Sequence, residues 1–313
     1  MGFKVINPGL LTTIQDNGRF GHQHMGVTTG GPLDEYAFTW ANHLLGNLAG
    51  SAMLEITFGG LEILAEINTN IAVTGADLGA TINGEGIEPW RTHRVKAGDR
   101  LKFHTPETGL RAYLAVSGGF NVPQLLGSCS TVMREGIGGL VSDGTKLKPE
   151  DRLPCANVPP QPTNAVSAED IPDYRKNLEL GLIEGYQIAD FSSEQLRRFF
   201  ASEYQITPDI DRMGYRLKGE AISASRSGIV SEGIAAGAVQ IPADGQPIVL
   251  MCDRQTIGGY PKPGCISRLA MGQLAQRGPD SSVRFYSIDV SMAQAQRAVF
   301  KRHLKLYDFH RLG

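Results

Sequence analysis

Residues 231–264 read SEGIAAGAVQIPADGQPIVLMCDRQTIGGYPKPG, and this stretch carries both a fold signal and a chemical one. Ala238 to Ile241 is a short apolar run, Asp244, Gly245 and Gln246 form a polar turn, and Pro247 to Met251 is a second apolar run. Short apolar runs separated by Gly, Pro and Asp read as β-strands. A polar cluster follows at once: Asp253, Arg254, Gln255 and Thr256, then Gly258, Gly259, Tyr260 and Lys262. Strand ends are rigid, and glycines let backbone amides approach a ligand closely. The cluster therefore suits a small amide or carboxylate. A plain polar turn, with Asp253 capping amides and Arg254 paired to it, satisfies the same residue types.

Outward from this stretch, most of the chain consists of similar short runs rich in Val, Ile, Leu, Phe and Thr, and its 38 glycines supply the turns. That spacing points to a mainly β fold of barrels or sandwiches. Few helices are expected. Residues 32–45 carry Leu33, Ala37, Trp40, Ala41 and Leu44 at helical spacing, with Pro32 in the first turn and Gly46 as a stop. Ser192 and Gln195 have capping-box spacing for a helix to about Glu203. Further helices are expected near 266–276 and over 292–306, the last with a basic, solvated face.

At 313 residues the chain exceeds one ordinary core, so two domains are expected. PCANVPPQPTNAVSAEDIPD, from Pro154 to Asp173, is dense in Pro, Ser and Asn and reads as a linker. The division is thus 1–155, a linker at 156–173, and 174–313. Each half repeats one turn signal: VKAGDRLKF ends at Phe103 and RGPDSSVRF at Phe285, with a looser copy, KLKPEDRLP, at 146–154. Two similar barrels in tandem account for that repetition.

Composition narrows the function classes. The formal net charge is -2 with both signs interspersed, so no basic stripe exists to neutralise phosphates, and nucleic acid is an unsuitable partner. The four cysteines form no C-x-x-C pair, no apolar run approaches a membrane span, and the N-terminus lacks an apolar leader core. A cytoplasmic protein without membrane contact is expected. His22 and His24 lie two apart without further ligands nearby, so no metal site is expected. The other five histidines, His43, His93, His104, His303 and His310, read as structural. No G-x-x-x-x-G-K-[ST] loop and no G-x-S-x-G elbow occurs. Cys129 reads as a small buried thiol, and Gln15, Asp16 and Arg19 fall in a glycine-punctuated loop. Asp34, in the first turn of the first helix, fits either a dipole-stabilised structural role or a substrate contact.

Several long segments, in order, resemble the family that joins carboxyltransferase subdomains A and B: PGLLTTIQDNGRFGH from Pro8, LDEYAFTWANHLLGN, LEITFGG, TGADLGATINGEGIEPWR from Thr74, GLRAYLAVSGGFNVPQLLGSCST from Gly109, RMGYRLKGE from Arg212, and DRQTIGGYP. The resemblance implies two tandem cyclophilin-like β-barrels with a few short helices. Free-standing chains of this length resemble the C subunit of ATP-dependent 5-oxoprolinase, which implies opening of the 5-oxoproline lactam to L-glutamate within a complex. It further implies a Kip-inhibitor-like B subunit, a lactam-utilisation type A subunit, ATP with Mg used by the complex and not necessarily bound by this chain, and no biotin. Carboxyl transfer to urea or another amide, and a non-catalytic regulatory role beside a kinase-inhibitor-like subunit, are the alternatives.

Under this resemblance Asp253, Arg254 and Gln255 are the catalytic candidates, and Asp34, Gln240, Thr256, Tyr260 and Lys262 the substrate-binding ones, at a cleft between the barrels. Gln240 and Gln255 each donate and accept, matching a lactam edge, while Arg254 or Lys262 offers a cation for a carboxylate or phosphate. Replacing Asp253 or Arg254 by Ala is expected to abolish turnover and spare the fold. The sequence departs from the family at Cys129, where Arg is usual, and at Glu150, where Gly is expected before Asp151.

Overall fold

The structure, a computed structural model, describes residues 2–159 and 161–307 and the backbone of 310–312. It is mainly β, as the run spacing requires, with four α-helices among the described residues: α1 (Glu35–Leu44), α2 (Ser193–Ala201), α3 (Arg268–Ala275) and α4 (Val290–Leu306). None is long and apolar enough to cross a membrane. All four expected helices are present. α1 starts later than Pro32 suggested, because Asp34 is its N-cap: the carboxylate accepts the Ala37 amide at 3.1 Å. Ser192 caps α2 and Ser267 caps α3 in the same way.

Two compact units form. One comprises Met1–Phe20, Thr29–Arg175 and Leu306–Gly313; the other comprises Gly21–Thr28 and Lys176–Lys305. The stretch read as a linker instead belongs to the first unit. Thr163–Ala165 is a strand that pairs with Arg91–Val95 on one side and His310–Leu312 on the other, and Val166 is buried. Prolines flank this strand without interrupting it, so its amides remain available to the ladder.

In the first unit two antiparallel sheets share one core. The six-stranded sheet is centred on Gly2–Pro8 and Leu61–Ala65, and the seven-stranded sheet on Thr69–Asp77 and Thr108–Val116. Phe3, Val5 and Ile63 from one meet Leu54, Ile71 and Leu114 from the other. The second unit is a closed barrel of seven strands, so hydrogen-bonded closure of the kind expected in both units is found in this one. Its inward residues Leu180, Tyr215, Leu217, Val239, Val249 and Val283 are fully buried.

The repeated turn has a shared backbone geometry. In the first copy the Asp99 carboxylate accepts the Lys96 amide at 2.7 Å and Gly98 has φ 97°. In KLKPEDRLP, Asp151 accepts from Lys148 at 2.7 Å, and Glu150 holds the left-handed position at φ 72°. In the second unit Asp280 holds it at φ 68°, and the Ser281 amide donates to the Gly278 carbonyl at 3.3 Å. Glycine is favoured at this position because a Cβ there crowds the following carbonyl.

GSCST and the N-terminal loop meet around Asp16. Its buried carboxylate accepts from Ser128 Oγ at 2.5 Å, Ser130 Oγ at 2.6 Å, and the amides of Cys129 and Gly18. Burial is the largest single influence and pushes the carboxyl up. The hydrogen bonds, led by that from Ser128, outweigh it and hold the group below its ordinary value of 3.8. Arg19 donates to the carbonyls of Leu125, Ser128 and Ser130, and burial pushes the Cys129 thiol far up, so this cluster braces loops and offers no thiolate nucleophile.

Two expectations follow. Glu150→Gly relieves a strained left-handed residue and gives up only an exposed pair with Lys4, so thermal unfolding should show ~1 kcal/mol of added stability; a loss would contradict the strain. Asp16→Asn weakens the charged hydrogen bonds and should cost ~2 kcal/mol at neutral pH. Because the folded carboxyl is depressed, its contribution is complete above the unfolded value and disappears as pH falls through the folded one. Denaturant titrations should show the gap between wild type and Asp16→Asn closing below about pH 4, and a constant gap would refute the assignment.

Candidate functional site

Strand alternation sends one set of side chains into the second barrel and the next set outward. Tyr215, Val249 and Val239 lie opposite one another across three strands, Gly214–Lys218, Ile248–Leu250 and Ala238–Gln240, and all three are buried inside. One residue along each strand, Arg216, Ile248 and Gln240 form a matching row on the outer face.

A two-stranded ribbon, Glu232–Gly233 paired with Ile257–Gly258, lies over part of this face. It packs through Ile234, which clusters with Ala238, Leu250 and Ile248. Glu232 anchors it: Lys262 Nζ donates at 2.6 Å, Gln187 Nε2 at 2.8 Å, and the Tyr186 hydroxyl binds the other oxygen. Lys262 leads in holding Glu232 below the usual carboxylate range, with Tyr186 next.

Beside the ribbon is a cavity of about 500 Å³, within the roughly 300–1,000 Å³ typical of small-molecule sites. Its lining includes Gln240, Gln255, Tyr260, Arg216, Ile248 and Leu250, all residues of the second unit. Gln240 is only 2% exposed, yet its Nε2 has no hydrogen-bond partner. A buried donor left unbonded costs about 1–3 kcal/mol. A Cβ on Gly258 would stand 2.9 Å from that nitrogen and 2.4 Å from Ile234 Cδ1, so only glycine lets the ribbon pack this closely over the buried amide.

The polar corner read from the sequence divides by role. Gln255 and Tyr260 face this cavity with Gln240. Asp253 and Arg254 turn inward. The Asp253 carboxylate takes two bonds of 2.9 Å from Arg212, both residues nearly fully buried. Arg254 donates to the carbonyls of Ile234 and Met251, and burial draws its guanidinium below the ordinary range. Its own carbonyl accepts from Thr28 Oγ1 at 3.2 Å. Thr256 lines a separate hollow of about 460 Å³ with Gln23, His24 and Ile257. Lys262 is committed to Glu232, so neither cation proposed for an anion is at hand without exchanging its present bonds.

Asp34 belongs to the first unit, where it caps α1 and accepts the Tyr174 hydroxyl at 3.2 Å. Among the described residues no group of three or more His, Cys, Asp or Glu is placed to hold a metal ion; the His310 side chain lies outside them. Sequence reasoning missed the functional weight of Arg212, Arg216 and Glu232. RMGYRLKGE held the first two, and only pairing across the sheet shows which strand neighbours they have.

Residues 25–287 match the family model for the carboxyltransferase domain, subdomain A and B. The chain belongs to this family. It is 37% identical over 297 residues to the C subunit of 5-oxoprolinase from Escherichia coli, covering 94% of this chain and 93% of that protein. Identity to the C subunit of the Haemophilus influenzae 5-oxoprolinase is 32% over 312 residues, covering 96% and 95%. Among solved structures, K. lactis urea amidolyase matches with a TM-score of 0.90 at 28% identity, over 98% of this chain and 20% of that one. The family read from the sequence motifs is thus borne out, and the chain is homologous both to the C subunit of 5-oxoprolinase and to the corresponding portion of urea amidolyase.

Arg212 changes what Asp253→Ala is expected to do. Removing one member of a buried ion pair strands the other charge, at a cost of about 3–5 kcal/mol. Asp253→Ala should therefore lower the unfolding temperature markedly, and Gln255→Ala should not; equal stability of the two by circular dichroism would refute a structural role for the pair.

Proposed function

We propose that this chain is the C-type subunit of an ATP-dependent 5-oxoprolinase, acting with Kip-inhibitor-like and lactam-utilisation type partners to open 5-oxoproline to L-glutamate. The observation that carries this reading is end-to-end similarity to the C subunit of two bacterial 5-oxoprolinases, with more than nine-tenths of each chain covered. The amide-lined cavity of the second unit is consistent with it.

A lactam carbonyl is resonance-stabilised and a poor electrophile. ATP supplies a phosphoryl group that turns the carbonyl oxygen into part of a leaving group. The cations of this chain's polar corner do not fit a triphosphate cradle: Arg254 and Lys262 are spent on carbonyls and on Glu232, and no phosphate-loop motif is present. Nucleotide and Mg binding is therefore assigned to the partner subunits. Gln240, Gln255 and Tyr260 bind and orient the lactam, while Arg212–Asp253 and Arg254 hold the loop that presents them. Asp253 and Arg254, first read as catalytic, become positioning residues in this proposal. Asp34, Thr256 and Lys262 are left with the structural bonds and the separate hollow described above.

Carboxyl transfer is the second reading, supported by the likeness to urea amidolyase. ADP release from purified chains separates the two. The chain alone should be inactive, and adding both partners should produce ADP release that requires 5-oxoproline. Release without 5-oxoproline dependence in the three-protein mixture would sink the oxoprolinase reading.

A further inference from the structure

The helix α4, Val290–Leu306, has 17 residues, and only three of its side chains, Ala293, Phe300 and Leu304, are buried. At 3.6 residues per turn these three fall on one stripe. A second apolar line, Met292, Ala295, Val299 and Leu306, runs along the helix about a quarter turn away from the first. Its large side chains stay in solvent: Val299 is 67% exposed, Leu306 67% and Met292 53%. A helix that met only water on this side would carry polar residues there. The fold of the described residues makes no use of the line.

Charge has one sign along the same helix. Arg297, Lys301, Arg302 and Lys305 occur without a single Asp or Glu, in a chain whose formal net charge is -2. Lys301, Arg302 and Lys305 are exposed and form no ion pair among the described residues. Attraction to the helix dipole accounts for a cation in the last turn, such as Lys305, but it fades within that turn and leaves Lys301 and Arg302 unexplained. Arg302 borders the apolar line directly, and Lys301 and Lys305 lie just beyond it around the helix.

We infer that α4 is a docking face for an acidic amphipathic helix of another protein. The apolar side of that helix covers Met292, Ala295 and Val299, and its carboxylates meet Lys301, Arg302 and Lys305. Spacing of i, i+3 and i+7 is that of a helix–helix seam, the small Ala295 lets the two axes approach closely, and the flanking charges select the partner. A second copy of this chain is a poor occupant, because a twofold pairing of α4 sets like charges beside the seam in both copies. An anionic membrane is also a poor one: interfacial helices bury bulky residues such as Trp, Phe and Leu, and the one Phe of α4, Phe300, is committed to the buried stripe. The choice of partner proteins for the test rests on the oxoprolinase reading above; the chemistry of the face stands without it.

The test mixes the purified full chain with both partner subunits and follows assembly by sedimentation velocity. Wild type should form a complex that weakens about tenfold between roughly 0.05 M and 0.5 M salt. Val299→Glu, and separately Lys301→Glu combined with Lys305→Glu, should each weaken assembly by roughly tenfold or more. Lys218→Glu, which reverses an exposed lysine on another element, should not. Circular dichroism identifies any variant that fails to fold, and the double lysine variant, altered only at exposed positions, then carries the test alone.

Assembly of both α4 variants as strong as that of wild type, absence of any complex, or an equal loss in Lys218→Glu overturns the inference. So does self-association of the chain alone, or binding to vesicles of phosphatidylglycerol and phosphatidylcholine, that disappears in the same variants. Lactam-dependent ADP release together with assembly indifferent to α4 would remove this face and leave the oxoprolinase reading standing, and assembly that depends on α4 without lactam-dependent release would do the reverse.

Discussion

A β-strand has two faces, and the short strands of the second barrel commit one of them entirely to the core. Tyr215, Val249 and Val239 occupy the inside at one level, so their neighbours Arg216, Ile248 and Gln240 have to lie outside. A one-residue slip would exchange the two sets, placing a guanidinium and an amide inside the barrel. Hydrophobic burial in the barrel thereby fixes the positions of the polar groups outside it. The candidate site is precise because the core is.

The loop over that face meets a different problem, since it has little apolar surface with which to hold itself. Buried charge holds it instead. Asp253 is gripped by both nitrogens of a guanidinium fork, which sets its orientation as well as its position. Arg254 ties the loop to the backbone carbonyls of Ile234 and Met251. Glu232 gathers Lys262, Gln187 and Tyr186 at the ribbon's edge. Such pairs contribute little net stability against an apolar alternative, but they admit few geometries. That trade suits a loop that sets Gln255 and Tyr260 on the cavity wall.

Much of the architecture was legible in the sequence because strand and helix signals are local. The capping residue Ser192, the short apolar runs around 238–251, and the turn at Gly98 and Glu150 all act within a few residues of themselves. The boundary between units was less legible. Thr163–Ala165 looks like linker until His310–Leu312, almost 150 residues later, arrives to pair with it, and no local pattern announces a partner at that distance. The same limit governed the site. DRQT stood out as a polar corner, but whether each side chain turns inward or outward depends on Arg212, forty-one residues away. Gln240 was recognisable as an amide able to meet a lactam; that it is buried with an unbonded nitrogen is a property of the packed ribbon.

The three copies of the repeated turn show how the sequence tolerates strain where a family position is fixed by backbone geometry. At Gly98 the left-handed conformation costs nothing sterically, whereas Glu150 and Asp280 hold it with a Cβ in place. Both non-glycine copies lie at strand entrances leading to buried residues, Leu153 and Phe285. Burial of a side chain of that size is worth about 1.5–3 kcal/mol, more than the ~1–2 kcal/mol of left-handed strain. The strand that follows therefore keeps the turn in shape. A departure from the family pattern at Glu150 consequently alters stability locally and leaves the outer face of the second barrel, with Gln240, as it was.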